Sequence, residues 1–155
     1  MTDSAKNSKQ PSAIMLCVAV GLGSGLGSLL RFQSAFGIMS RLGGGDLLAT
    51  AIVNIVGSFV IMLFATLTGA DGRFPAGPTV RQFVMAGLCG GYTTRSLQGL
   101  NTFILILDGR WFYGAAYVVA VVALSLAAAA VGYVFALGLN KSAALRPVAE
   151  CRALS

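Results

Sequence analysis

Long apolar stretches separated by short charged segments dominate this chain. Three stretches hold no charged residue: Pro11 to Leu30, Leu47 to Ala70 and Trp111 to Asn140. Each is long enough to cross the hydrocarbon core of a bilayer as a helix, which takes about 20 residues. A fourth stretch, Gln82 to Leu107, has a similar pattern but carries Arg95 near its middle. The pattern predicts an all-α membrane protein with four transmembrane helices.

The predicted helices form one membrane domain over residues 1–155, with short connections between them. The predicted spans are about 13–32, 47–69, 81–107 and 111–139, joined at about 33–46, 71–81 and 108–110. The polar residues 1–11 and the mixed residues 141–155 are predicted to be disordered tails. Lys6 and Lys9 before the first span resemble a signal peptide, but the apolar run is too long and no cleavage site follows it before Arg31.

The third span contains a polar, glycine-rich segment, Gly87-Leu-Cys-Gly-Gly-Tyr-Thr-Thr-Arg-Ser-Leu-Gln98. Unwound backbone inside a bilayer must be buried in protein or line a wet cavity, because its N–H and C=O groups find no partner in lipid. We therefore predict that the third helix is broken at Gly90–Thr94. Ionisable residues at membrane depth usually mark a functional site, so we interpret this segment as part of an ion pathway.

Composition narrows the function. Of the 155 residues only 10% are charged, against about a quarter in soluble domains. The net charge of +6 comes from scattered basic residues, without the basic stripe typical of nucleic-acid binding. There is no histidine, and the three cysteines (Cys17, Cys89 and Cys151) have no metal-like spacing. Zinc enzymes and classical hydrolases are disfavoured, and we do not expect an enzyme.

The basic residues are unevenly distributed between the two sides of the predicted membrane domain. Seven fall on the side of the termini and the second connection: Lys6, Lys9, Arg73, Arg81, Lys141, Arg146 and Arg152. The other connections carry Arg41 and Arg110, with Arg31 at the border. The positive-inside rule then predicts a multi-pass protein of the inner (plasma) membrane with both termini in the cytoplasm.

Small residues recur at helix-packing spacing in the first span. Gly21 and Gly25, and likewise Gly23 and Gly27, are four residues apart, which lets two helix backbones approach closely. We interpret these glycines as packing residues. Arg31 ends the predicted span and is either an interfacial anchor or a functional group.

Uncharged polar residues occur inside the second and fourth spans. Asn54 and Ser58 share a helix face, and Tyr117 and Ser125 lie two turns apart with Val121 between them. The bland interpretation is interhelical hydrogen bonding or an interfacial belt, and the functional one is a row of donors along an anion path. No acidic residue lies inside a span: they are Asp3, Asp46, Asp71, Asp108 and Glu150. A cation-coupled multidrug exporter, which needs a buried carboxylate, is therefore disfavoured.

Four places in the chain resemble the small fluoride channels of the CrcB or Fluc family. They are the glycine-rich first helix ending in Arg31-Phe32, the segment Thr50-Ala-Ile-Val-Asn54-Ile-Val-Gly57, the segment Gly87-Leu-Cys-Gly90-Gly91-Tyr-Thr93-Thr94, and the pair Tyr117 and Ser125. The resemblance implies an antiparallel, dual-topology dimer of four-helix subunits that conducts fluoride passively. It also implies a structural sodium ion held by the backbone carbonyls of Gly90 and Thr93, with Asn54, Thr94, Ser96, Tyr117 and Ser125 along the pore.

The chain departs from the family after the paired threonines. The family continues Phe-Ser-Thr-Phe, whereas this chain has Arg95, Ser96, Leu97 and Gln98. We expect Arg95 and Gln98 to line the pore in place of the two phenylalanines. A full positive charge and five donors replace the weakly positive edge of an aromatic ring. Together with the uneven basic residues, this departure leaves two alternatives: a conducting homodimer, or a fixed-orientation subunit that forms a heterodimer with an inverted homologue and does not conduct alone.

Overall fold

The computed structural model describes residues 12–43, 45–69 and 72–144, and every regular element in these ranges is helical. The first two helices are α1 (Ala13–Leu42) and α2 (Asp46–Leu67). Three elements then follow without a gap: α3 (Pro78–Gln82), a π-helical segment (Phe83–Cys89) and α4 (Gly90–Tyr92). The chain ends in α5 (Arg95–Leu107) and α6 (Trp111–Ala144).

Three of these helices, α1, α2 and α6, are long and apolar enough to cross a membrane. On α6 the buried residues form a narrow seam at helical spacing, which includes Val121, Ser125 and Ala136. The rest of its surface is apolar and exposed, for example Leu126 and Val134. A helix that is apolar on all sides suits a lipid surrounding rather than water, so the chain is a membrane protein, as its hydropathy predicts.

Helices α2 and α6 lie side by side and run in the same direction. Near their starts, the Tyr117 hydroxyl donates to the Leu47 carbonyl at 3.1 Å. Near their ends, the Asn140 amide donates to the Thr66 carbonyl at 3.4 Å. Because the two helices are parallel, the chain between them must return along the whole bundle. The segment from Pro78 to Leu107 therefore makes a fourth passage from one end of the bundle to the other.

Helix α1 packs against this returning segment through backbone contacts. A Cβ atom on Gly23 would lie 2.5 Å from the Phe83 carbonyl oxygen, and one on Gly27 would fall against the Leu88 carbonyl oxygen. By contrast, a Cβ atom on Gly21 or Gly25 would have no described atom within 4 Å, apart from those of its chain neighbours and of the α1 backbone itself. Among the described residues, Gly23 and Gly27 are the predicted pair that packs against another element, and no such contact is found there for Gly21 and Gly25.

The helix boundaries differ from the predicted ones at two places. Helix α1 continues beyond residue 32 to Leu42, so most of the predicted connection over 33–46 is helical, and the bounds of the membrane span itself stay a prediction. The isolated Arg31 does not stop the helix, and winding ends only at Gly43 with φ of 60°. Helix α6 continues through Gly138 to Ala144, past the predicted end at 139, and residues 139–144 contain no proline or glycine that would stop it. Of the predicted tails, 1–11 and 141–155, the residues 1–11 and 145–155, including Cys151, lie outside the described residues, while 141–144 belong to α6.

Candidate functional site

Helical winding stops after Tyr92 and resumes at Arg95. The two residues between are extended: Thr93 has φ −77° and ψ 149°, and Thr94 has φ −141° and ψ 114°. Gly90 keeps helical angles of −63° and −38°, although the break was expected to include it. The β-branched threonines favour extended backbone, while Gly91 is used for packing, because a Cβ there would fall against the Ser24 carbonyl oxygen.

The Asn54 side chain binds the extended backbone from both sides. Its Nδ2 donates to the Thr94 carbonyl at 3.0 Å, and its Oδ1 accepts from the Thr94 N–H at 2.8 Å. The side chain is 1% exposed. Buried backbone groups outside a helix need such partners, so Asn54 stabilises the interruption directly. Both ends of the amide engage Thr94, and the interpretation of Asn54 as a donor that faces a pore stays a prediction.

The two threonines also close the helix ends on either side. The Thr94 Oγ1 accepts from the Leu97 N–H at 3.3 Å, which makes Thr94 the N-cap of α5, and it lies 3.3 Å from the Ser96 Oγ. The Thr93 hydroxyl donates to the Cys89 carbonyl at 3.0 Å. These local bonds hold the polar side chains of the segment in fixed positions around the interruption.

The carbonyl groups at the end of α4 have different surroundings. The Cys89 oxygen accepts from Thr93, and the Gly91 oxygen accepts from the Ser28 hydroxyl at 3.4 Å. Within the described ranges no hydrogen bond to the oxygen of Gly90 or of Thr93 is found, and Gly90 is exposed. Carbonyl oxygens of this kind are suitable ligands for a hard cation. The described residues contain no group of three or more His, Cys, Asp or Glu that would hold a metal instead.

Arg95 pairs with Gln98 rather than with backbone carbonyls. Its Nη1 donates to the Gln98 Oε1 at 3.2 Å, one turn along α5. The Arg95 residue is exposed, while Gln98 is 4% exposed and faces the protein interior. The guanidinium therefore lies at the edge of the buried polar cluster. The bond to Gln98 uses one of its five N–H donors.

Asn101 is a further buried polar residue that the sequence interpretation missed. Its Nδ2 donates to the Thr50 hydroxyl at 3.3 Å, and both residues are buried. Asn101 continues the buried face of α5 that begins at Thr94 and Gln98. The spacing 94, 98, 101 is a helical face and was the signal available in the sequence.

On α6, Tyr117 and Ser125 lie along the same seam but have different partners. The Tyr117 hydroxyl is bonded to the Leu47 carbonyl, close to the Thr50 and Asn101 pair. Ser125 is 2% exposed. Its hydroxyl oxygen is the one buried side-chain nitrogen or oxygen atom of the described residues that has no hydrogen-bond partner. A buried hydroxyl without a partner costs free energy, so it is available to a water molecule or an ion.

A groove of about 630 Å³ opens beside the interruption. It lies between the second half of α1, the start of α2 and the start of α5, and its polar lining includes Arg31, Asp46, Thr94 and Ser96. The partial positive charge of the α5 N-terminus adds to that of Arg31. The groove therefore joins the exterior of the chain to the polar cluster, and Arg31 lines it from α1.

Comparison with known proteins supports a single family. The family described as "CrcB-like protein, Camphor Resistance (CrcB)" matches residues 18–133. The chain is 49% identical over 136 residues to "Fluoride-specific ion channel FluC 3" of Brucella abortus biovar 1, covering 88% of this chain and 99% of that protein. It is 42% identical over 125 residues to "Fluoride-specific ion channel FluC" of Opitutus terrae, covering 81% and 95%.

Proposed function

The chain belongs to the CrcB-like protein family, and from this premise we propose that it is a subunit of a fluoride channel. Such a subunit would let fluoride leave the cell passively across the plasma membrane and lower its cytoplasmic concentration. The names of the curated relatives support fluoride as the ion. The fourth crossing of the membrane, by the interrupted segment Pro78 to Leu107, is part of this proposal.

The observation that carries the proposal is the Asn54–Thr94 arrangement at an interruption whose buried polar side chains are uncharged amides and hydroxyls. The charged groups nearby, Arg31, Asp46 and Arg95, line the groove or lie exposed at its edge. Neutral donors can replace the hydration shell of a small anion without holding it as tightly as a fixed cation would. Conduction needs this balance, because an ion must leave as readily as it binds.

Fluoride efflux from liposomes containing the purified chain tests the proposal. We expect fluoride to leave these liposomes faster than protein-free ones, and chloride loaded at the same concentration to be retained. Equal release of both anions would contradict a fluoride-specific pathway. No fluoride release, either from this chain alone or after mixing with an inverted homologue, would contradict the function itself.

We further propose that the functional unit is an antiparallel dimer with a structural sodium ion between its subunits. One chain supplies two suitable oxygens, from Gly90 and Thr93, and a second copy would supply two more. Sodium is a hard cation for which carbonyl oxygens are fitting ligands. Measuring the dimer fraction of the purified chain with sodium, and with a large organic cation in its place, tests this; equal fractions would contradict it.

A second candidate function is a non-conducting subunit of a heterodimeric channel. It rests on Arg95 and Gln98 and on the excess of basic residues on one side of the chain. A guanidinium beside the pathway can bind a small anion too strongly for release. In this case the inverted partner would provide the conducting pore.

The double substitution Arg95→Phe and Gln98→Phe separates the two candidates. If the pair blocks the pore, the variant gains fluoride efflux as the lone protein, since two ring edges replace the charge. If the original chain alone already conducts and protects a fluoride-sensitive cell, the heterodimer proposal fails. A suitable control is Arg110→Gln, which removes an arginine from the connection between α5 and α6.

A further inference from the structure

A second groove, of about 600 Å³, lies at the opposite end of the bundle from Arg31. It runs between the last turns of α2 and of α6, and Met62, Ala65, Tyr133 and Leu137 form its apolar lining. Asn140 closes one end. Because α2 and α6 are long and apolar enough to cross a membrane, a groove between their last turns is within reach of lipid.

Hydrogen bonds between side chains and the backbone hold the end of the groove together. The Asn140 Oδ1 accepts from the Arg73 N–H at 3.1 Å, and its Nδ2 donates to the Thr66 carbonyl. The Arg81 Nη1 donates to the Thr68 carbonyl at 2.8 Å. Free carbonyls at the C-terminal end of a helix would repel an anion. Here Asn140 and Arg81 satisfy two of them, so that repulsion is reduced.

Two guanidinium groups lie at this end. Arg73 is exposed and stacks on the Phe74 ring at 5.3 Å from its centroid, and its backbone joins the groove through Asn140. Gly69 lines the groove, and a Cβ atom built on it would lie 3.9 Å from the Arg81 Nη1. The charged side chains described at this end are these two arginines; Asp71 lies outside the described residues.

We propose that this groove binds an anionic phospholipid, with an acyl chain along the apolar lining and the phosphate at Arg73. Basic pockets between transmembrane helices are recognised sites for anionic head groups. Arginine suits a phosphate because its planar fork can donate two parallel hydrogen bonds. The apolar lining suits an acyl chain, and the guanidinium groups of Arg73 and Arg81, which lie beside the end of the groove without lining it, suit a head group of net negative charge. In phosphatidylcholine the choline cation offsets the charge of the phosphate, so that lipid gains less from the two arginines.

Native mass spectrometry of the full chain, released from vesicles of phosphatidylcholine and phosphatidylglycerol in equal amounts, tests the site. We expect phosphatidylglycerol to stay bound in preference, and Arg73→Gln to reduce its retention about fivefold, as expected for one basic group at an anionic surface. Arg73→Lys should retain most of it. Unchanged retention in Arg73→Gln would overturn the proposal.

Arg110 provides a matched control at the other end of the bundle. It is also exposed and stacks on an aromatic ring, that of Tyr113, at 4.7 Å. Arg110→Gln should leave phosphatidylglycerol retention unchanged. An equal loss in the Arg110 and Arg73 variants would show general surface attraction and would overturn a specific site.

Filling the groove distinguishes the lipid from other occupants. Ala65→Phe, or Ala65→Leu where the larger side chain prevents folding, should reduce lipid retention without changing the dimer fraction. If the dimer fraction falls while lipid retention is unchanged, the groove is covered by a second copy and the proposal fails. If inorganic phosphate displaces phosphatidylglycerol at millimolar concentration, the site is one for free phosphate and the proposal also fails.

Discussion

At the scale of single residues, the carboxamide of Asn54 replaces the hydrogen bonds that Thr94 would make within a continuous helix. One side chain supplies both a donor and an acceptor, and it reaches Thr94 from forty positions away in the sequence. The amide is uncharged, so it can be buried once its bonds are made. The helix interruption thus depends on a residue in another helix as much as on its own threonines.

Replacing Asn54 tests this dependence. Asn54→Ala leaves the Thr94 N–H and C=O buried without partners, and we expect it to lower the free energy of unfolding by about 3 kcal/mol, since each lost partner costs about 1–3 kcal/mol. Asn54→Asp keeps the acceptor, and its free energy of unfolding should lie between those of Asn54→Ala and the original chain. Thermal unfolding in detergent measures both changes.

Ser58→Ala is the matched control for Asn54. The Ser58 hydroxyl donates to the Asn54 carbonyl at 2.8 Å within α2, so its removal takes one side-chain bond and leaves the interruption intact. We expect a loss of at most about 1 kcal/mol. Similar unfolding temperatures for the Asn54 and Ser58 variants would show that Asn54 does not hold the segment.

At the scale of elements, α1 has two different glycine faces. Gly23 and Gly27 allow its backbone to touch the segment from Phe83 to Tyr92, whereas Gly21 and Gly25 face open space. Without a hydrophobic force between helices in lipid, close packing of small residues supplies much of their association. The first face therefore belongs to the fold of the single chain, and the second is free for lipid or another subunit.

A pair of alanine substitutions separates these faces. Gly27→Ala forces a methyl group against the Leu88 carbonyl and should cost about 1–3 kcal/mol of stability. Gly25→Ala meets no atom of the same chain and should leave the unfolding temperature unchanged or slightly raised, because alanine favours helix. Equal losses in both variants, measured by thermal unfolding, would contradict this assignment.

At the scale of the whole molecule, the number of passages decides which ends share a side. The parallel arrangement of α2 and α6 brings Thr68, Arg73 and Asn140 to one end of the bundle. Arg110 lies at the other end, next to the start of α6. In the sequence, the termini and the second connection hold seven basic residues and the other connections two, with Arg31 at the border, which under the positive-inside rule predicts one orientation in the membrane.

Labelling of single cysteines tests the orientation. In a chain with Cys17, Cys89 and Cys151 replaced by alanine, we expect Arg110→Cys to react with an impermeant thiol reagent added outside cells. A cysteine at Arg73 should react only after the cells are opened. Strong external labelling at both positions would indicate insertion in both orientations and would favour the homodimer over the heterodimer.

Much of the fold follows from local features that the sequence alone displays. Apolar length predicts α1, α2 and α6, because a span needs only enough apolar residues to cross the hydrocarbon core. The helix ends were less predictable: Arg31 and residues 33–42 remain helical because single polar residues do not stop winding. At the candidate site, the cluster of polar residues after Gly87 predicts a site, whereas Asn101 is linked to that cluster only through the helical spacing 94, 98 and 101.

The tertiary structure decided which groups meet. The sequence determined that Asn54, the paired threonines and Ser125 lie inside apolar stretches, since hydropathy is a property of neighbouring residues. That Asn54 binds Thr94, that Arg95 pairs with Gln98 and that Ser125 remains without a partner depend on how the helices pack. Hydrogen bonds between distant residues need a specific distance and direction, and only the packed bundle sets these.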